Sequence, residues 1–153
     1  MSSIKVGDKA PDFNAIDELG QSISLSDFLG KKVILYFYPK DMTPGCTAES
    51  CNLGENYKLL QEKGFVVLGA SPDSSKSHQK FISKYKLPFS LIADEDKALI
   101  KAYGVWGPKK FMGREYDGVL RTTFVIDENG SIEKIFSKVK TKDHTNQIIE
   151  SYQ

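Results

Sequence analysis

Cys46 and Cys51 are the only thiols in the chain, and both lie in one stretch, Pro39-Lys40-Asp41-Met42-Thr43-Pro44-Gly45-Cys46-Thr47-Ala48-Glu49-Ser50-Cys51. An apolar, strand-like run over 33–38 feeds a short turn rich in proline and glycine. That turn delivers Cys46 to what reads as the first turn of a helix. Backbone N–H groups at a helix N-terminus favour negative charge, so a cysteine there is favoured as the thiolate, the reactive form of the residue. An inert core cysteine is the plainer alternative, since unpaired cysteines are often buried. A Pro/Gly turn at a helix start is a poor place for a core residue. Cys51, five positions on, is close enough in sequence to trap whatever Cys46 becomes. The layout is that of a redox catalyst.

The elements that must carry these residues alternate between strand and helix. Segments 13–16 and 22–25, around Leu19-Gly20-Gln21, read as a short hairpin, and 26–30 as one helical turn capped by Ser26 and stopped by Gly30. The run 33–38 has little polar alternation, as expected of a strand buried on both faces. From 47 to 63, Leu53, Tyr57 and Leu60 fall at i, i+4 and i+7, a helical stripe ended by Gly64. Strands are expected over 65–69 and 89–92, helices over 75–85 and 95–103, and a loop over 105–120. Strands 122–126 and 132–137 flank Asp127-Glu128-Asn129-Gly130, a strong hairpin signal. A helix over 143–152 closes the chain. This order predicts an α/β layer fold with a mixed central sheet flanked by helices, in one domain spanning 1–153. In such sheets the reactive site lies beyond the carboxyl ends of the strands, which is where Cys46 falls.

If the two cysteines share a helix, their Cα atoms stand about 8.7 Å apart by helical rise and radius. A disulfide needs less than about 7 Å, so the helix would have to unwind for one to form. Gly54 and the weak helix formers Thr47, Ser50 and Asn52 make unwinding easier.

Pro39, Thr43 and Cys46, in the order P-x-x-x-T-x-x-C, resemble the active-site loop of the peroxiredoxins. The longer string T-P-G-C-T-x-E-x-C is similar to the Q-type subfamily, also called bacterioferritin comigratory proteins. Ala10-Pro11-Asp12-Phe13, Tyr103-Gly104-Val105-Trp106-Gly107, Lys110-Phe111-Met112-Gly113 and Arg121-Thr122-Thr123-Phe124-Val125-Ile126-Asp127 extend the likeness over nearly the whole chain. One departure is Gly54, where the subfamily often has an arginine. The resemblance implies a thioredoxin-like fold with an N-terminal hairpin extension. It also implies a thiol peroxidase acting on hydrogen peroxide and organic hydroperoxides. Cys46 would be the peroxidatic nucleophile, passing through a sulfenic acid, and Cys51 the candidate resolving thiol, with a spectator role as its alternative. Thr43, Arg121 and the backbone N–H groups of Gly45 and Cys46 would donate hydrogen bonds to the peroxide, and Pro39 would shield the sulfur. Thioredoxin or a similar dithiol would restore the thiols. Donors matter because even a thiol shifted from about 8.5 to about 6 gains only some thirtyfold in thiolate at neutral pH, whereas one placed donor to a departing oxyanion is worth about a hundredfold or more.

Composition narrows the alternatives. Lys and Arg total 21 against 20 acidic residues, a formal net charge of +1 that gives no electrostatic reason to expect nucleic acid or an anionic membrane as partner. The longest apolar runs are too short to span a bilayer. The first residues lack the apolar core of a signal peptide, so a cytoplasmic location is expected, and the protein is expected to be a monomer. A structural zinc site needs about four ligands, and Cys46, Cys51, His78 and His144 show no metal-binding spacing. Both histidines read as solvated surface residues, and no metal, haem or flavin is expected. Asn129-Gly130-Ser131 reads as a tight turn, Lys109-Lys110 as a solvated loop, and Trp106 as either a packed anchor or a substrate contact. Glu49 is either an electrostatic support of the loop or a plain first-turn acid. Two rivals remain: a protein thiol–disulfide oxidoreductase, which lacks its C-x-x-C here, and a redox sensor.

Overall fold

The structure, a computed structural model, describes residues 4–153. In chain order it contains β1 (Asn14–Ile16), β2 (Ser22–Ser24), a 3₁₀ turn (Leu25–Phe28), β3 (Lys32–Phe37), α1 (Pro44–Glu55), α2 (Tyr57–Glu62) and β4 (Phe65–Ser71). There follow α3 (Ser75–Tyr85), β5 (Ser90–Ala93), α4 (Ala98–Ala102), β6 (Trp106–Phe111), β7 (Arg114–Val119), β8 (Thr122–Ile126), β9 (Ile132–Phe136) and α5 (His144–Glu150). The central sheet has the order β5-β4-β3-β8-β9. Its β3, β4 and β5 run parallel, β8 pairs antiparallel with β3, and β9 pairs antiparallel with β8. This is the expected thioredoxin-like α/β fold, with β1 and β2 as the N-terminal hairpin.

Period-two alternation along β3 divides the core. Val33, Leu35 and Phe37 face one layer, with Leu25, Ile100, Tyr103 and Phe124. Ile34 and Tyr36 face the other, with Leu53 of α1, Leu60 of α2, Phe81 of α3 and Ile148 of α5. Cys46 belongs to this second layer. Because β8 runs antiparallel to β3, with Phe37 opposite Thr122, the residue just before β8 lies beside the loop that leaves β3. That residue is Arg121.

Four expectations need correction. The segment 105–120 is no loop: β6 and β7 pair over their full length, from Trp106 opposite Val119 to Phe111 opposite Arg114. Their turn residues, Met112 (φ 50) and Gly113 (φ 78), both take left-handed backbone, the conformation of a type I′ hairpin turn. Methionine in the place usually held by Asn or Gly hid that turn, and the exposed strands show little apolar alternation. The helix over 47–63 breaks at Asn56 (φ −105, ψ 12), whose side-chain amide donates to the Asn52 carbonyl at 2.8 Å. The helix over 95–103 shortens to Ala98–Ala102, because the Asp94 carboxylate takes the N–H groups of Leu99 and Ile100. The early helical turn is capped by Ser24 with Asp27 rather than by Ser26. The hairpin at Asn129-Gly130 forms as expected, with Gly130 at φ 87.

Candidate active site

The loop between β3 and α1 is fixed by a buried polar network at the carboxyl ends of the parallel strands. Tyr38 donates to Asp41 Oδ1 at 2.6 Å, and Ser77 donates to Asp41 Oδ2 at 2.8 Å. His78 Nδ1 faces the same Asp41 Oδ2 at 2.8 Å, while its Nε2 donates to the Ile92 carbonyl at 2.9 Å. The Asp41 N–H in turn donates to Asp73 Oδ2 at 2.8 Å. Asp41, Asp73 and His78 bring ligand atoms within 4.8 Å of one another. Each of those atoms is engaged in these hydrogen bonds, so the cluster reads as a loop anchor. Beyond it, Met42 takes left-handed backbone (φ 68), uncommon for a residue with a side chain, and the chain turns into α1.

Thr43 is the N-cap residue of α1, with extended backbone (φ −78, ψ 152), and Pro44 occupies the first helical turn, where its missing N–H costs nothing. The Thr47 N–H pairs with the Thr43 carbonyl at 2.8 Å. The amides of Gly45 and Cys46 lie ahead of that first helical bond, among the N–H groups a helix start leaves for other acceptors. The Thr43 hydroxyl donates to the Lys40 carbonyl at 2.7 Å. Its proton is therefore committed, and toward an incoming group the oxygen offers lone pairs. The family resemblance implies that this hydroxyl donates to the peroxide; in the structure its proton goes to the Lys40 carbonyl. Pro39 is half-buried beside the loop.

Cys46 is 1% exposed, so the Pro/Gly turn, expected to be a poor place for a core residue, buries it in the second core layer. One guanidinium nitrogen of Arg121 donates to its Sγ at 3.2 Å, and the other donates to Glu49 Oε1 at 2.7 Å. The planar fork thus spans a thiol and a carboxylate one helical turn apart. Gly45 makes room for it: a Cβ there would stand 3.2 Å from the guanidinium nitrogen that contacts Cys46. Lys109 approaches from β6, its ammonium donating to the Val119 carbonyl at 2.9 Å. Burial, reinforced by the Arg121 charge, pushes it below the usual lysine range. Lys109 is therefore part of the site's surroundings rather than a solvated loop residue.

Glu49 is wholly buried. Burial pushes its carboxyl up to about 7, against the opposing pull of Arg121. Its second oxygen, Oε2, has no hydrogen-bond partner among the described residues and lies 3.7 Å from His144 Nε2. The network around His144 explains the gap. Gln147 donates its amide to the Lys138 carbonyl, so its oxygen faces His144 Nδ1 at 2.9 Å, and Nδ1 must carry the hydrogen. Nε2 then accepts from the Thr123 hydroxyl at 2.8 Å and has nothing to offer Glu49. Burial pushes His144 down to about 4, which keeps it neutral.

Both histidines, expected at the surface, are thus completely buried. Their polar sequence neighbours concealed this because each lies on the buried side of an otherwise solvated helix. Of the residues singled out from sequence, Thr43, Gly45, Cys46 and Arg121 converge. Cys51 lies further along α1, half-buried, and both cysteines are free thiols. Burial and the nearby Glu55 charge push the Cys51 thiol above its ordinary value. Trp106 packs against the core with the Lys97 ammonium 5.3 Å from its ring centroid, so it is an anchor. Gly54 has a packing reason: a Cβ there would stand 3.3 Å from Pro88 and 3.4 Å from Leu87.

Comparison with known proteins agrees with this arrangement. The sequence matches the AhpC/TSA family over residues 6–135. Peroxiredoxin Bcp of Bacillus subtilis is 44% identical over 149 residues, covering 97% of this chain and 95% of its own length. A cysteine-to-serine mutant of Xylella fastidiosa PrxQ superposes with a TM-score of 0.92 at 29% identity, covering 99% of this chain and 97% of that one. The Xanthomonas campestris bacterioferritin comigratory protein, studied for its alkyl peroxide reduction activity, gives 0.86 at 30% identity, covering 99% and 96%. The likeness runs through loop, sheet and helices alike, and the chain belongs to the AhpC/TSA family as a Bcp/Q-type peroxiredoxin, a thiol peroxidase.

Proposed function

We propose that Cys46 is the peroxidatic thiolate and Cys51 the resolving thiol of a thioredoxin-dependent cycle, carried by a single domain. The Cys46 sulfur attacks one oxygen of the peroxide. A sulfur–oxygen bond forms, the oxygen–oxygen bond breaks, and the departing alkoxide or hydroxide takes up a proton. Cys46 is left as a sulfenic acid. The Arg121 nitrogen that touches Sγ donates to the peroxide as well, a reading supported by the Glu49 contact, which holds the fork in plane. The amides of Gly45 and Cys46 offer further donors, the Thr43 oxygen accepts a hydrogen bond from the peroxide, and Pro39 keeps water off the sulfur. The Cys51 thiolate then attacks the Cys46 sulfur. The disulfide forms as the sulfur–oxygen bond breaks, and the departing hydroxide takes up a proton and leaves as water. A dithiol such as thioredoxin reduces the disulfide, ending oxidised itself.

The observation that carries this reading is the Arg121 bridge from the Cys46 sulfur to Glu49 at the start of α1. Reduction of organic hydroperoxides draws on the activity for which the Xanthomonas campestris relative was studied. All the named groups come from one chain, which suits a monomer, and a cytoplasm supplies the reductant that returns the thiols. Among the described residues no helix is long and apolar enough to cross a membrane.

A peroxide assay coupled to thioredoxin and its reductase tests the cycle. Cys46→Ser should lose turnover entirely, and Cys51→Ser should react once and stop as a sulfenic acid trapped by dimedone. Near-normal turnover in Cys46→Ser would remove the nucleophile assignment. Stoichiometric oxidation of the wild type without cycling would favour a redox sensor.

A further inference from the structure

Helix α5 begins with an amide satisfied from another helix. Its own N-cap residue, Asp143, provides no side-chain cap. Instead the Thr145 N–H donates to Asn52 Oδ1 of α1 at 2.8 Å, and Asn52 Nδ2 donates to the Lys142 carbonyl at 3.2 Å. A third bond runs from the Thr145 hydroxyl to the Asn52 backbone carbonyl at 3.2 Å. Asn52 is therefore gripped at both ends of its side chain and at its backbone, twice by Thr145, which is 3% exposed, and once by the Lys142 carbonyl. A seven-residue helix is too short to hold itself together in water, so its start depends on such contacts.

The gripped residue is the immediate neighbour of Cys51. The peptide plane joining Cys51 to Asn52 is rigid. Holding Asn52 at three points restrains the Cys51 backbone joined to it, and the helical separation of about 8.7 Å must shrink below about 7 Å for a disulfide. We propose that the Asn52–Thr145 clasp is the latch that sets how often α1 opens for Cys51, making Asn52 a positioning residue for the disulfide-forming step. This rests on the Cys46–Cys51 cycle above. Closed, the latch keeps Cys46 under Arg121 for the reaction with peroxide. Open, it releases Cys51 to displace the sulfenic oxygen as water. While it stays closed, the sulfenic acid is exposed to a second peroxide, whose oxygen–oxygen bond breaks as a second sulfur–oxygen bond forms, giving sulfinic acid and an alcohol or water. The clasp therefore divides the sulfenic acid between recycling and inactivation.

Two variants test it. Asn52→Ala removes both side-chain bonds, although alanine is the better helix former and works against the expected opening. Thr145→Val removes the hydroxyl bond and leaves α1 unaltered. In the reduced protein, hydrogen exchange of amides 47–53 should speed up by about tenfold in the first and about threefold in the second, the scale of one or two net hydrogen bonds, with sheet amides unchanged. Stopped-flow measurement should show disulfide formation faster by similar factors, and sulfenic acid formation within about twofold of wild type. Sulfinic acid, measured by mass at a fixed peroxide dose, should fall. A purely structural clasp would not separate the two chemical steps in this way. Unchanged exchange across α1 in both variants overturns the latch, and so does faster exchange without faster disulfide formation. If the wild type itself forms no Cys46–Cys51 disulfide, the resolving role of Cys51 fails and takes the latch's role in resolution with it. That result differs visibly from a wild type that cycles and variants that match it.

Discussion

Arg121 makes two different contacts with one rigid group, and the geometry separates its charge from its shape. One nitrogen meets Cys46 Sγ and the other meets Glu49, so the guanidinium plane is fixed before any substrate arrives. Lysine would keep the positive charge and lose the fork. In Arg121→Lys the single ammonium cannot serve thiol, carboxylate and peroxide together. The rate constant for sulfenic acid formation should fall by about tenfold or more, the scale of one lost transition-state contact. Stopped-flow oxidation of the reduced variant measures it, and a rate equal to wild type would leave Arg121 with charge alone. Thr43 teaches a related lesson. A hydroxyl can donate or accept, and only the carbonyl of Lys40 shows which role is left for a ligand.

Among the elements, α1 docks on the sheet through a contact that a glycine makes possible. Tyr36 of β3 lies across its neighbour Gly69 of β4 and reaches Ser50 of α1, hydroxyl to hydroxyl, at 2.8 Å. A Cβ at position 69 would come within 2.6 Å of Leu91, 2.8 Å of the Tyr36 ring and 2.9 Å of its hydroxyl. Gly69→Ala should therefore push Tyr36 off Ser50 and destabilise the protein by about 1–3 kcal/mol, as overpacking does. Denaturant unfolding checks the magnitude. Combining it with Tyr36→Phe should cost less than the sum of the single changes, because both disturb the same contact. Strict additivity would mean that Leu91 alone absorbs the strain.

At the scale of the whole molecule, two buried groups bend the pH dependence of stability in opposite directions. The Glu49 carboxyl, pushed up to about 7, is costly to ionise in the fold, so its contribution is fullest below the unfolded value of about 4.5 and is lost as pH rises through 7. His144, pushed down to about 4, contributes fully above its unfolded value of about 6.5 and loses that contribution as pH falls toward 4. Between roughly pH 4.5 and 6.5 the two slopes oppose each other. Glu49→Gln should remove one of them. The stability of the variant minus that of wild type should climb with pH between about 4.5 and 7, by up to about 3 kcal/mol, and stay level outside that range. Chemical denaturation across a pH series gives the difference directly. A flat difference would mean that Glu49 ionises in the fold as freely as in the unfolded chain.

Local chemistry determined a large part of this protein. The Pro/Gly turn into a helix start, the unalternating run that became β3 and the Asn129-Gly130 hairpin signal depend on neighbours in sequence. Each formed where local reasoning put it, with α3 spanning Ser75–Tyr85 as expected. Family likeness located Arg121, which sequence physics could not have picked from the other basic residues. Tertiary structure decided the rest. His78 and His144 have polar neighbours along the chain and apolar or hydrogen-bonded ones in space, so burial reversed their reading. Glu49 became the buried partner of Arg121 only because antiparallel pairing of β8 with β3 sets the start of one strand beside the exit of the other. The hairpin of β6 and β7 hid behind a methionine in a turn position, and the clasp between Asn52 and Thr145 joins residues 93 positions apart. Propensity and periodicity report on a residue's own few neighbours, whereas partners chosen across such separations exist only once the chain has folded.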